Sequence, residues 1–329
     1  MKRSYIVPPV LAAAILGIAS QSTLAQTTVF SDTFGNGSTV QSTAITPTAN
    51  STTYQWFQQG GTPTTPTIAS GDLHLFGRTT SSSIAEVQAL FSPTPLTLSS
   101  VGDSITATIV FTDTQNIFPA GSASTMNIGL FNSGGSAPVT GVRLDASGSG
   151  TGGAVGWNGY VGRIGGTGGV TSSIITRPPQ GAGITNPNQS QDALFNGASG
   201  SSTFNNPTGS LIANSGGQFA AGLTGGSTYT LSYNITLSAA GTVTISDSLF
   251  DSGNNVLFSQ TGSTSTSPIT SFDAFAFGWR YNSTSAANSI DVSSFNVVDN
   301  IAPIPEPSAF ALGGLAALGL ARHLRRRRA

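Results

Sequence analysis

The chain has no cysteine in 329 residues, so no disulfide staples its fold and oxidation outside a cell finds no thiol. Lysine occurs once, at Lys2, which removes any phosphate-binding loop built on a lysine further along. Histidine occurs only at His74 and His323, and without cysteine this excludes a typical zinc site. Glutamate occurs only at Glu86 and Glu306. No stretch carries a sustained apolar period of 3.6 residues, which argues against helices as the main element.

The few charges are unevenly placed. Lys2, Arg3, Arg322 and Arg325 to Arg328 account for seven of the twelve basic residues and stand at the two ends. Between residues 26 and 302 only Arg78, Arg143, Arg163, Arg177 and Arg280 remain against twelve acids, and 5 − 12 leaves about −7. A nucleic-acid partner needs a basic surface to neutralise phosphates, and this segment has none to offer. It is long enough to be stable by apolar burial alone.

The N-terminus has the layout of a secretory signal peptide. Lys2 and Arg3 precede an apolar run from Ile6 to Ala19, and Thr23-Leu24-Ala25 supplies small residues for cleavage after Ala25. Pro8 and Pro9 argue against a permanent helical anchor here.

The C-terminus reads in three parts. Pro303-Ile304-Pro305-Glu306-Pro307-Ser308 is an extended turn, Ala309 to Leu320 is apolar, and Arg322 to Arg328 is a basic tail. Arginines at one end resist translocation, so that end stays in the cytoplasm and everything before Pro303 lies outside the inner membrane. Ala309 to Leu324 is 16 residues. As a helix it spans about 24 Å, short of the ~30 Å hydrocarbon core, so the anchor is marginal and suits a temporary station.

Pro305-Glu306-Pro307, the apolar segment and the cluster Arg325, Arg326, Arg327 and Arg328, in that order, resemble the PEP-CTERM sorting signal of bacterial surface proteins. The resemblance implies recognition by exosortase, a membrane-embedded protease, and processing near the Pro-Glu-Pro that releases the ectodomain to the surface or matrix. The competing reading is an ordinary C-terminal membrane anchor.

Residues 26–300 read as one all-β ectodomain, a jelly-roll-type β-sandwich. Ile105, Ala107, Ile109 and Phe111 alternate with Thr106, Thr108 and Val110. Tyr229, Leu231, Tyr233, Ile235 and Leu237 do the same, and turns at Ala239-Ala240-Gly241 and Asp251 to Asn255 continue them into a three-stranded meander. Further strands are expected at 29–34, 54–58, 73–76, 86–91, 126–131, 272–280 and 290–298, about twelve in all. Ser31-Asp32-Thr33-Phe34 at the start and Ile290 to Val298 at the end resemble the concanavalin A-like and laminin-G-like sandwiches, in which first and last strands lie side by side. A different sandwich and a solenoid are the alternatives. Residues 134–216, rich in Gly, Ser, Asn and Pro, are expected as long loops on one edge, broken by strands near 157–164 and 171–176.

Candidate chemistry is thin. Gly148-Ser149-Gly150-Thr151-Gly152-Gly153 lacks the strand, helix and acidic partner of a dinucleotide site. A glycosidase needs two carboxylates, and Glu86 stands without the paired pattern, so it is expected as a solvated strand residue. His74, near Asp72, has no serine on a nucleophile elbow and reads as a plain exposed strand residue. Calcium needs only loop oxygens, but Asp247, Asp251, Asn254 and Asn255 lack its rhythm and read as a hairpin turn, so no cofactor or metal is assigned. Trp56 and Trp279 fall in apolar strands and are expected in the core. Trp157, Tyr160 and Arg163, at the loop-rich edge, are the candidate carbohydrate contacts, with packing as the other reading.

The resulting expectation is an exported surface or matrix protein that is non-catalytic, with exosortase as processing partner and extracellular polysaccharide as candidate ligand. A carbohydrate-active enzyme on the same scaffold and a purely structural matrix protein or adhesin are the alternatives.

Overall fold

Side chains of a strand alternate between its two faces, so the apolar set of each strand decides which way it turns. A computed structural model of the chain describes residues 26–35, 37–40, 53–59, 65–76, 83–120, 124–134, 157–165, 171–178, 194–195, 210–214, 219, 222–281 and 289–301. The expected signal peptide and the sorting segment with its membrane helix and basic tail lie outside the described residues. Among the described residues no helix is long and apolar enough to cross a membrane.

Eighteen strands form among the described residues. The first are β1 (Thr27–Asp32), β2 (Thr39–Val40), β3 (Thr53–Gln59), β4 (Thr67–Ala69), β5 (Asp72–Phe76) and β6 (Ser83–Leu90). Next come β7 (Leu96–Thr97), β8 (Ser104–Asp113), β9 (Thr125–Asn132), β10 (Asn158–Gly165), β11 (Ser173–Arg177) and β12 (Ser210–Asn214). The last are β13 (Thr228–Ala239), β14 (Thr242–Asp251), β15 (Val256–Thr264), β16 (Ser271–Phe272), β17 (Ala274–Tyr281) and β18 (Ser289–Asn300). Most of the strands beyond the expected number are short pieces: β2, β4, β7, β12 and β16.

Two large sheets result. One runs β15-β14-β13-β8-β18-β5-β4, with β1 also paired to β18, and the other runs β12-β11-β10-β9-β17-β6-β3-β2. Their facing sides share one core, in which Phe30, Phe34 and Phe295 of the first sheet's side meet Tyr54 and Phe275 of the second. Phe275 and Phe295 are the tightest of these pairs, with ring centroids 4.9 Å apart. The sheets therefore form a sandwich.

The first and last strands do lie side by side: Thr27 pairs with Asp299 and Asp32 with Phe295. The opening Asp-x-Phe has a structural task. Asp32 accepts hydrogen bonds from the Phe34 backbone N–H at 2.7 Å, the Ser38 hydroxyl at 2.6 Å and the Tyr54 hydroxyl at 2.7 Å. These bonds fold the chain back at Phe34, whose φ of 58° is left-handed, and tie β1 across to β3.

The strands expected within segment 134–216 form as β10 and β11, which lie in the second sheet between β9 and β12. Both faces of β9 and β10 are buried, so neither strand shows an alternation of polar and apolar residues.

Candidate functional site

The second sheet has an inner face in the sandwich core and an outer face with its own packing. Tyr160 and Ile164 of β10 turn inward, whereas Trp157 and Val161 join a separate apolar cluster with Phe131, Ala274 and Ala276. Leu194 and Phe195 complete that cluster from above the sheet. The candidate trio is therefore split. Tyr160 is buried in the inner core and its hydroxyl accepts the Ile269 N–H at 2.7 Å, while Trp157 and Arg163 belong to the outer side. The expectation of open aromatic faces is corrected: both rings are fully buried, Trp157 against Phe131. Trp279 lies in the core and Trp56 packs against it, as expected.

Glu86 is likewise not solvated. It is fully buried on the outer face and accepts from Gln88 Nε2 at 2.7 Å, the Leu194 N–H at 2.9 Å and the Phe195 N–H at 3.3 Å. Burial pushes its pKa up to about 7, against the opposing pull of these bonds and of the Arg177 guanidinium. Its carboxylate thus holds the Leu194–Phe195 strap down over Trp157. Arg177, also buried, donates from Nη1 to the Trp157 carbonyl.

All three described arginines, Arg163, Arg177 and Arg280, fall on this outer face, which strand parity settles. Arg163 is out of phase with inward Tyr160 and Ile164, Arg177 with Ile174, and Arg280 with Phe277 and Trp279. A row of register neighbours crosses five strands here: Ser173, Arg163, Asn127, Gly278 and Glu86. Thr125 is the partner of Arg280 one step along. Asn127 is fully buried with neither amide atom hydrogen-bonded, and Thr125 Oγ1, Ser173 Oγ and Arg163 Nε are also buried without a partner. Buried polar groups are normally satisfied, so four such residues side by side stand out. The sequence held a signal for this row, since the arginine and asparagine positions share one strand parity, but it becomes readable only with the strand order.

Two other candidates resolve into structure. His74 is partly buried, not plainly exposed, and its Nδ1 lies 2.7 Å from Oδ1 of Asp291, its cross-strand neighbour on β18. Asp247 and Asp251 do not converge. Asp251 accepts from its own turn, the N–H groups of Gly253 at 2.8 Å and Asn255 at 2.9 Å. Asp247 is buried between the sheets, accepts from Gln260 Nε2 at 2.8 Å, and is pushed by burial up to about 8. Tyr233 lies close enough for that carboxylate to add to the rise of its own pKa, which burial drives first.

The two ends of the described chain meet at one pole. Because β1 runs antiparallel to β18, Gln26 emerges beside Asp299 and Asn300, and the three line one surface hollow with Ser104, Thr106 and Val298. Immediately beyond, residues 303–327 match the PEP-CTERM protein-sorting motif. No curated protein matches the chain. Among solved structures, the chain is similar to the CBM2 module of the evolved Dit of Lactobacillus casei BL23 phage J-1, with 9% identity, 85% of this chain and 98% of that one covered, and a TM-score of 0.41. The Emp46p carbohydrate recognition domain, potassium-bound, shares 12% identity over 74% of this chain and 87% of its own, with a TM-score of 0.37. Arcelin-5, a lectin-like defence protein from Phaseolus vulgaris, shares 12% over 75% and 93%, with a TM-score of 0.36.

Proposed function

We propose that this protein is exported, anchored briefly in the inner membrane by its C-terminal segment, and processed near Pro305-Glu306-Pro307 by exosortase, which releases the sandwich to the cell surface or matrix. The observation that carries this reading is the motif match at 303–327, which begins three residues after β18 ends at Asn300. A cut after β18 leaves every described strand in place, and β18 is an inner strand between β8 and β5. Cleavage at that point separates an address from a finished domain. Replacing Pro305, Glu306 and Pro307 together by alanine is expected to hold the uncut chain in the membrane fraction; unchanged release would overturn the processing step.

At the surface the sandwich acts without catalysis, as a binder of extracellular carbohydrate. Support comes from the outer face of the second sheet, where Arg163 stands among buried amide and hydroxyl groups that make no hydrogen bond. A catalytic reading has one observation in its favour, the carboxyl group of Glu86 with its pKa near 7. That group is engaged by Gln88 and by two backbone N–H groups, and no second carboxylate occupies a described strand position on the same face. New reducing ends appearing when the released protein is incubated with bacterial polysaccharide would favour the enzyme; glycan retention without cleavage favours the binder.

A further inference from the structure

We propose that the outer face of the first sheet binds a neutral polysaccharide, with one sugar ring seated in the hollow where β1, β18 and β8 meet and the chain lying across β8, β13, β14 and β15. This names a surface and a class of sugar beyond the glycan-binding reading, and it rests on that reading.

The first observation is an uncharged array on an accessible face. Core-facing residues of these strands, Ile109, Tyr233 and Ile245 among them, alternate with residues that face outward. Thr108, Ser232, Ser248 and Ser259 are outward register neighbours across β8, β13, β14 and β15. Thr106, Asn234, Ser246 and Thr261 form the next row, and Ser104, Thr236, Thr244 and Ser263 the third. All of these are partly or fully exposed, and every one carries a hydroxyl except Asn234, which carries an amide. With strands ~4.8 Å apart and alternate residues ~6.8 Å apart, the array covers ~14 Å in each direction. Asn234 Nδ2 donates to Thr106 Oγ1 at 2.8 Å, and Thr236 Oγ1 donates to Asn234 Oδ1 at 2.8 Å. Thr244 Oγ1 donates to Ser238 Oγ at 2.8 Å and lies 2.9 Å from Ser263 Oγ. These bonds hold side chains in place before a ligand arrives, which lowers the entropy lost on binding.

The second observation is the hollow itself, about 300 Å³, which opens at the corner of this array. Ser104 and Thr106 line it from the array, Asn300 and Val298 are their register neighbours on β18, and Gln26 adds a second amide. Asp299, the remaining lining residue, is engaged by the side chain and backbone of Thr27. The chemistry of the surface selects its partner. A folded protein partner calls for an apolar or aromatic centre, and here apolar side chains begin only in the row beyond, at Val110 and Phe250. An acidic polymer calls for cations, and the array holds none. A neutral polyhydroxyl chain suits it, because each serine or threonine hydroxyl both donates and accepts, as the amides do.

Calorimetric titration of the processed protein tests this, with cellohexaose and maltohexaose as neutral probes and hexagalacturonate as the charged one. Binding of a neutral hexasaccharide is expected, with an affinity that raised salt leaves unchanged. Ser246→Lys and Thr261→Lys place a charge on the array, and Ser104→Arg fills the hollow. Each is expected to weaken neutral binding by about tenfold or more while the melting temperature stays near that of the parent, since all three positions lie on the surface. Tighter binding of hexagalacturonate than of either neutral probe overturns the neutral class while leaving glycan binding in place. Neutral binding that survives all three substitutions puts the sugar elsewhere and overturns this surface alone. Binding of none of the probes overturns both this assignment and the glycan-binding reading.

Discussion

Asp247→Asn is expected to stabilise the protein, and to do so more at neutral pH than near pH 5. The Asp247 carboxyl is 1% exposed, faces Tyr233 and Gln260 between the sheets, and is pushed by burial up to about 8. In the unfolded chain it returns to an ordinary carboxylate near 3.9. Between those values the folded protein holds a proton that the unfolded chain has lost, so folding takes up a proton and stability falls as pH rises. The slope is ~1.4 kcal/mol per pH unit, or roughly 3 kcal/mol between pH 5 and 7.5. For a domain of about 275 residues that corresponds to about 5 °C in melting temperature. Asparagine has nearly the same shape, still accepts from Gln260 Nε2 through its carbonyl, and does not titrate. Thermal unfolding of both proteins from pH 5 to 8 checks this. Other buried carboxyls, Glu86 among them, also titrate, but they act on both curves alike and cancel in the difference. The difference should widen steadily, by about 5 °C between pH 5 and pH 7.5. Parallel curves across the range would refute a protonated Asp247 in the core.

Two substitutions test how the sandwich is held. Tyr54→Phe removes the hydroxyl that donates to Asp32 at 2.7 Å and leaves a buried carboxylate with one donor fewer. Denaturant unfolding should show a loss of about 1–3 kcal/mol, and no loss would mean the Asp32 turn does not depend on β3. A Cβ added at Gly162 would run into Asp247 Oδ2 and stand 2.9 Å from Tyr233 Cε2, so Gly162→Ala should cost about 1–3 kcal/mol by the same assay. Combined with Asp247→Ala, which vacates that space, the added methyl should cost much less; additive losses would contradict the contact.

What the sequence disclosed depended on how many faces of a strand are buried. Strands β8, β13 and β14 bury one side, so Ile105 to Phe111 and Tyr229 to Leu237 alternate visibly and could be assigned to the core directly. Strands β9 and β10 bury both sides, and their glycines fit close packing against neighbouring chains. A Cβ at Gly129 would come within 2.5 Å of the Phe131 ring, and one at Gly159 within 2.6 Å of it, so these glycines make space for an aromatic side chain. Read in sequence, the same glycines look like loop, and Trp157 beside them looks like an exposed ring. Glu86 misled for a related reason. Its partners Val87, Ala89 and Phe91 mark one buried face, and nothing local announces that Leu194 and Phe195, more than a hundred residues away, cover the other. The gathering of Arg163, Arg177 and Arg280 on one face is also non-local, being assembled from β10, β11 and β17 by the strand order. The sorting segment was legible in full because its information is carried by order and composition along one short stretch.

The intact mass of the protein recovered from the cell surface or medium bears most directly on the assignment of this chain as a sorted and processed ectodomain. A chain beginning at Gln26 and ending close to Pro305-Glu306-Pro307, with the apolar segment and arginine tail gone, is the expected result. A surface protein whose mass still includes Ala329 would contradict it.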